Sequence, residues 1–138
     1  RYLNELINYR FLKKYQDRVL FVGTELEYQI FKLRFELDIQ RLVINDFLEL
    51  AQALKQCVFH LSNQTQAFQI SEGMKVPRIL ELSKIAPNVI PIGENAFYFY
   101  AQEALEYYVS ILFGETPKTR NNGFIELVQP TPTVLSVK

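Results

Sequence analysis

The chain has a single cysteine, Cys57, and a single histidine, His60. One cysteine excludes an internal disulfide. One thiol and one imidazole exclude the usual zinc-ligand sets within the chain, so no metal is expected. No apolar run approaches the roughly 20 residues that cross a bilayer, so no transmembrane segment is expected. No signal peptide opens the sequence, and the expected location is cytoplasmic. The first residue is Arg1 rather than methionine, which leaves room for the chain to be a piece of a longer protein. Neither charge sign is in excess: 15 basic and 15 acidic residues give a formal net charge of zero. A general affinity for nucleic acid or for an anionic membrane is therefore not expected. Two phosphate-binding signatures are missing as well, GxGxxG and GxxxxGK followed by Ser or Thr, so a Rossmann dinucleotide site and a P-loop are poorly supported.

What is present suits one globular domain. The length is 138 residues and 49% of them are apolar, enough for a substantial core. Short β-branched or aromatic runs alternate with segments of helical spacing. The pattern predicts strands over residues 18–23, 40–44, 57–61, 78–82 and 88–93, the last an edge or bend because of Pro91. Helices are expected over 24–35, with Leu26, Ile30, Leu33 and Phe31 on one apolar side, and over 46–56, 65–74 and 101–113. Thr24 with Glu27, and Asp46 with Glu49, have capping-box spacing. Strands alternating with crossover helices indicate an α/β fold, a Rossmann-like three-layer parallel sheet with helices on both faces. The expected organisation is one domain over 1–138, with an entering helix at 1–15 (Leu6, Tyr9 and Leu12 apolar), a core at about 16–114, and a loop-rich tail at 115–138 whose only strand-like piece is 126–128.

In such sheets ligands bind beyond the carboxyl ends of the strands, where helix N-termini offer free amides and partial positive charge. Two openings fit. One is Gly23-Thr24 after the first strand; the other is Ser62-Asn63-Gln64-Thr65 after the third. Gly23 would let the backbone approach a ligand, and Ser62, Asn63 and Thr65 would supply hydrogen bonds. The same threonines also suit plain helix capping, and both readings stand. Glu72 is a candidate contact to a ribose hydroxyl or a solvated glutamate. His60 and Cys57 read as core residues. The aromatic stretch 97–108 reads as a seal for the core or for a partner domain.

The order "VGTELE", "DFLELAQALKQC", "FHLSNQTQAFQISEGMKVPRILE", "NVIPIG" resembles the C-terminal half of heptosyltransferase-like glycosyltransferases of the GT-B type, over residues 18–93. Gly23 and Glu27 stand where that family has a glycine loop with a glutamate. Leu48, Glu49, Leu50 and Ala51 match its following helix, Ser62, Asn63, Gln64 and Thr65 its donor-phosphate loop, and Pro77 its closing proline. The departures are Asn63 in place of an aspartate, no glycine in the loop, no histidine near Phe68, and a spacing to Pro77 about one residue long. The resemblance implies a donor-binding domain for a nucleotide-diphosphate sugar, with substrate contacts at Gly23, Thr24, Glu27, Ser62, Asn63, Gln64, Thr65 and Glu72. It implies no cofactor and no catalytic residue of its own. Transfer of a hexosyl or heptosyl group would need an N-terminal acceptor domain or a partner chain that supplies a carboxylate base. The rival reading is a degenerate, non-catalytic α/β interaction module, motivated by those departures. A flavodoxin-like binding domain is the third, without a convincing acidic pocket.

Overall fold

The first crossover helix begins where its capping box puts it. In the structure, a computed structural model that describes residues 5–115, helix α1 spans Glu25–Phe35. Thr24 Oγ1 accepts from the Glu27 amide at 3.3 Å, and the Glu27 carboxylate accepts from the Thr24 amide at 2.8 Å, so two orphan donors are satisfied reciprocally. The helix ends on Glu36 in the left-handed region, φ 54°. Its buried face corrects the expectation. Phe31 and Phe35 are buried and Tyr28 is partly so, whereas Leu26, Ile30 and Leu33 are 71%, 50% and 79% exposed. The two apolar stripes lie on opposite sides of the helix, so periodicity cannot choose between them. The aromatic one wins because its rings meet others: Phe31 lies 5.3 Å from Phe21 and 4.9 Å from Phe35, and Phe35 lies 5.3 Å from Tyr9.

The chain enters this core through a 3₁₀ helix, Tyr9–Arg18, started by Asn8 Oδ1 on the Arg10 amide. Ile7, Tyr9, Leu12 and Tyr15 are buried, so this segment is part of the core rather than an appendage to it; Leu6 faces solvent. The Tyr9 hydroxyl donates to Glu81 at 3.0 Å. Then follow β1 (Leu20–Phe21), α1, β2 (Gln40–Arg41), α2 (Phe47–Gln56), β3 (His60–Asn63), α3 (Gln66–Met74), β4 (Arg78–Glu81), β5 (Ala96–Phe99) and α4 (Gln102–Leu112). Asp46 caps the Glu49 amide at 2.8 Å, but Glu49 reaches back to the Asn45 amide, so only half of that box forms.

Every strand pair is parallel. Among the described residues the strands form two small sheets, β1-β2 and β3-β4-β5, where one sheet was expected. Strand β3 starts three residues later than expected, which moves Ser62 and Asn63 out of a loop and into the ladder. The expected strand over 88–93 does not form; its place is taken by β5. Pro91 has no amide to donate, and Gly93 (φ 109°) and Asn95 (φ 51°) turn the chain just before the aromatic run. The expected strand at 126–128 lies outside the described residues.

Side chains alternate across β3 and β4. Phe59, Leu61 and Ile79 enter the largest cluster, together with residues of the 3₁₀ helix, α1 and α4. Helices α2 and α3 pack into a second cluster through Leu50, Leu54 and Ala67, with Val22 and Ile44 against it. Phe68 and Leu80 form a third. Among the described residues, no helix is long and apolar enough to cross a membrane.

Candidate functional site

Both expected openings lie at carboxyl ends of strands, and both border the second cluster: Val22 precedes Gly23, and Ala67 sits in the first turn of α3. Their chemistry differs. At the α1 opening the site is already filled by the chain itself. The Glu27 carboxylate binds the Thr24 amide and hydroxyl, each at 2.8 Å. Arg41 donates to the Gly23 carbonyl at 3.0 Å and pairs with Glu25 at 2.6 Å. A negative carboxylate thus occupies the place where an anion would sit.

Gly23 has its own packing reason. A Cβ there would stand 2.6 Å from Cε1 of Phe21 and 3.1 Å from Oε2 of Glu27. Phe21 is buried, so its ring has little room to yield. Gly23→Ala is expected to lower stability by about 1–3 kcal/mol through overpacking. Chemical denaturation checks this, and an unchanged midpoint would remove the packing explanation.

The α3 opening is the opposite case. Thr65 takes the N-cap position with extended backbone, yet its side chain caps nothing, and no acidic residue stands in the first turn. The first amides of α3 have no intrahelical acceptor. Ser62 is 2% exposed and Thr65 8%, and among the described residues Ser62 Oγ, Asn63 Oδ1 and Thr65 Oγ1 have no hydrogen-bond partner. Unpaired buried polar atoms are costly and uncommon, so three within four residues mark this turn. Strand alternation sends Ser62 to the α3 side and Asn63 to the other, where its register partner is Glu81.

The other candidates are committed elsewhere. Gln64 pins the loop after β4: its Nε2 donates to the Ala86 carbonyl at 3.0 Å and its Oε1 accepts from the Ser83 amide at 2.7 Å. Glu72 pairs with Arg78 and Lys75, both at 2.5 Å, and accepts from the Ile92 amide at 3.4 Å. Burial pushes the Glu72 carboxyl up, but the bonds from Arg78 and Lys75 outweigh it and hold the group below its usual range. Arg78 is fully buried; besides Glu72 it donates to the carbonyls of Val76 at 2.9 Å and Ile92 at 2.6 Å. Sequence reasoning missed this arginine. The signal was there: a guanidinium opening an apolar strand needs a carboxylate, and Glu72 stands six residues before it.

His60 is also fully buried. Its Nδ1 lies 2.9 Å from Ser71 Oγ, and that hydroxyl donates to the Phe68 carbonyl. The spent hydroxyl makes Nδ1 the donor and leaves Nε2 a bare acceptor without a partner among the described residues. Burial lowers the imidazole to about 3 and raises the Cys57 thiol to about 12, so neither is charged at neutral pH. Among the described residues no cluster of His, Cys, Asp and Glu could hold a metal ion.

The fold therefore places Ser62 and Thr65 at one helix start without a side-chain cap, with Asn63 beside them on the other face of the strand. It uses Thr24 and Glu27 for a cap, Gln64 for a loop tether and Glu72 for an ion pair. Comparison with protein-family models, with curated proteins and with solved structures finds no match to this chain.

Proposed function

We propose that the chain binds the diphosphate of a nucleotide-activated sugar at the start of α3, as the donor-binding domain of a glycosyltransferase-like protein. The observation that carries this reading is the uncapped α3 start, where the Ser62 and Thr65 hydroxyls have no partner among the described residues. Hydroxyls donate to phosphate oxygens, and the adjacent amides and helix dipole favour negative charge. During transfer the same donors would stabilise the leaving nucleoside diphosphate. The unpartnered acceptor of Asn63 suits a ribose or sugar hydroxyl. The reading assumes a Rossmann-like three-layer arrangement, half of a GT-B architecture. Support comes from the separate cores that α1 and α4, and α2 and α3, form with the strands. The acceptor and the base belong to another domain or chain.

Calorimetric titration of the full chain with uridine, guanosine and adenosine diphosphates tests the proposal. Binding of at least one at millimolar concentration or below is expected, with Ser62→Ala and Thr65→Val each weakening it by roughly tenfold, about 1.4 kcal/mol. Thr24→Ser keeps the α1 cap and is expected to change nothing. Absence of heat with all three nucleotides would overturn the reading. The second reading, a non-catalytic interaction module, is favoured by Glu27 closing the α1 opening. It gains if Ser62→Ala with Asn63→Ala leaves function of the intact protein untouched.

A further inference from the structure

Gln64 stands between Asn63, the last residue of β3, and Thr65, the N-cap of α3. Both ends of its amide are spent on one loop. Oε1 accepts from the Ser83 amide at 2.7 Å, and Nε2 donates to the Ala86 carbonyl at 3.0 Å. The loop is also tied to itself, because Ser83 Oγ accepts from the amides of Ile85 and Ala86 at 3.3 Å and 3.1 Å. The stretch from Ser83 to Ala86 is thus fixed beside the start of α3. Lys84 lies inside this clamp. It follows the clamped Ser83 directly, as Thr65 follows Gln64, so its flexible four-carbon stem begins close to the helix start. Lys84 is exposed and makes no ion pair among the described residues. The cations on β2, at the end of α3 and on β4 are all engaged: Arg41 with Glu25, and Lys75 and Arg78 with Glu72.

We infer that Lys84 supplies the positive charge for the anion at the α3 start, and that Gln64 is the residue that positions it. The inference rests on the reading above, in which a nucleoside diphosphate occupies that start. The Ser62 and Thr65 hydroxyls and the first amides of α3 are neutral donors, and a helix end adds only roughly half an elementary charge. A diphosphate carries more negative charge than that. No acidic residue stands in the first turn of α3 to compete for the ammonium group. Lys84 therefore adds a charge-assisted contact where the other donors are uncharged.

Calorimetric titration of the full chain with uridine, guanosine and adenosine diphosphates, at about 20 mM and about 0.5 M salt, tests it, because exposed charges are screened at the higher ionic strength. At low salt Lys84→Gln is expected to weaken the tightest of the three by roughly tenfold, with Lys84→Arg keeping most of the affinity. At high salt the gap between the parent and Lys84→Gln should close to within about twofold. Lys55→Gln, in the last turn of α2, is the charge control and should change nothing. Gln64→Ala should weaken binding by a similar factor. The double variant Gln64→Ala with Lys84→Gln should be little worse than either single one, because both remove the same contact. A diphosphate that binds the parent and Lys84→Gln equally at low salt overturns the inference and leaves the α3 reading standing. Losses that simply add in the double variant overturn the positioning role of Gln64. Absence of heat with all three diphosphates overturns both readings at once.

Discussion

Glu72→Ala is expected to cost about 3 kcal/mol of stability, because it strands a buried charge. Arg78 is fully inside the protein, and Glu72 is the carboxylate bound to it. The two carbonyls that Arg78 also reaches accept hydrogen bonds but do not neutralise the guanidinium. The low end of the range for broken buried pairs applies because the Glu72 side chain is 19% exposed, so water can reach the vacated place. The substitution also releases Lys75 and the Ile92 amide, loosening the loop into β5. Urea denaturation at neutral pH reads the effect as a lower midpoint. For a domain that is stable by roughly 5–15 kcal/mol, such a loss is large. Glu72→Gln keeps an acceptor and should lose less. Removing both charges, Glu72→Ala with Arg78→Met, should recover part of the loss, because the desolvated charge is gone. A Glu72→Ala chain as stable as the parent would show that the ion pair contributes nothing. A nucleotide-binding defect at unchanged stability would return Glu72 to the ligand.

The second large effect is on acid stability, through His60. The folded imidazole is held at about 3 and the free one titrates near 6.5. Between those values the unfolded chain holds a proton that the native chain refuses. Stability is therefore unaffected by this group above about pH 7 and falls as pH drops, by about 1.4 kcal/mol per pH unit, toward a ceiling of about 5 kcal/mol. The structural cause is plain. Nδ1 already donates to Ser71, so an added proton must go to Nε2, where no acceptor waits among the described residues. The register partner of His60 is Arg78, itself cationic and buried, and Glu72 is already bound to that guanidinium. Carboxylates titrate mostly below pH 5, so the window from about 5 to 6.5 isolates the histidine. Denaturation midpoints across that window should slope upward with pH in the parent chain. In His60→Leu the slope should shrink by one proton's worth, even if the variant is less stable at pH 7. Equal slopes in the two proteins would mean that His60 takes up its proton without unfolding.

How much was legible in the sequence depends on how local the deciding interaction is. The helix starts at Thr24 and Asp46 were readable because a cap involves groups three residues apart. Parallel pairing followed from alternation of strands and helices, which leaves no short hairpin connections. The fifth strand was misplaced because apolar "VIPI" outweighed the turn set by Gly93 and Asn95, whose left-handed backbone shows only in the fold. The buried side of α1 was misjudged because two stripes of similar hydrophobicity compete, and only the neighbouring rings of Tyr9 and Phe21 select between them.

The candidate site divides in the same way. Sequence alone singled out two helix starts and the residue types that can hold an anion there. Whether a start is open or closed was decided by the tertiary structure. Glu27 folds back on Thr24, while among the described residues nothing takes up the hydroxyls of Ser62 and Thr65. Likewise the sequence supplied Glu72, Arg78, His60 and Ser71 as isolated letters. Only the packing of α3 on β3 and β4 excludes water from them, and that exclusion turns an exposed pair and an ordinary histidine into groups on which stability depends. Hydrogen bonds between near neighbours are written in the order of residues; desolvation is a property of what lies around them in space.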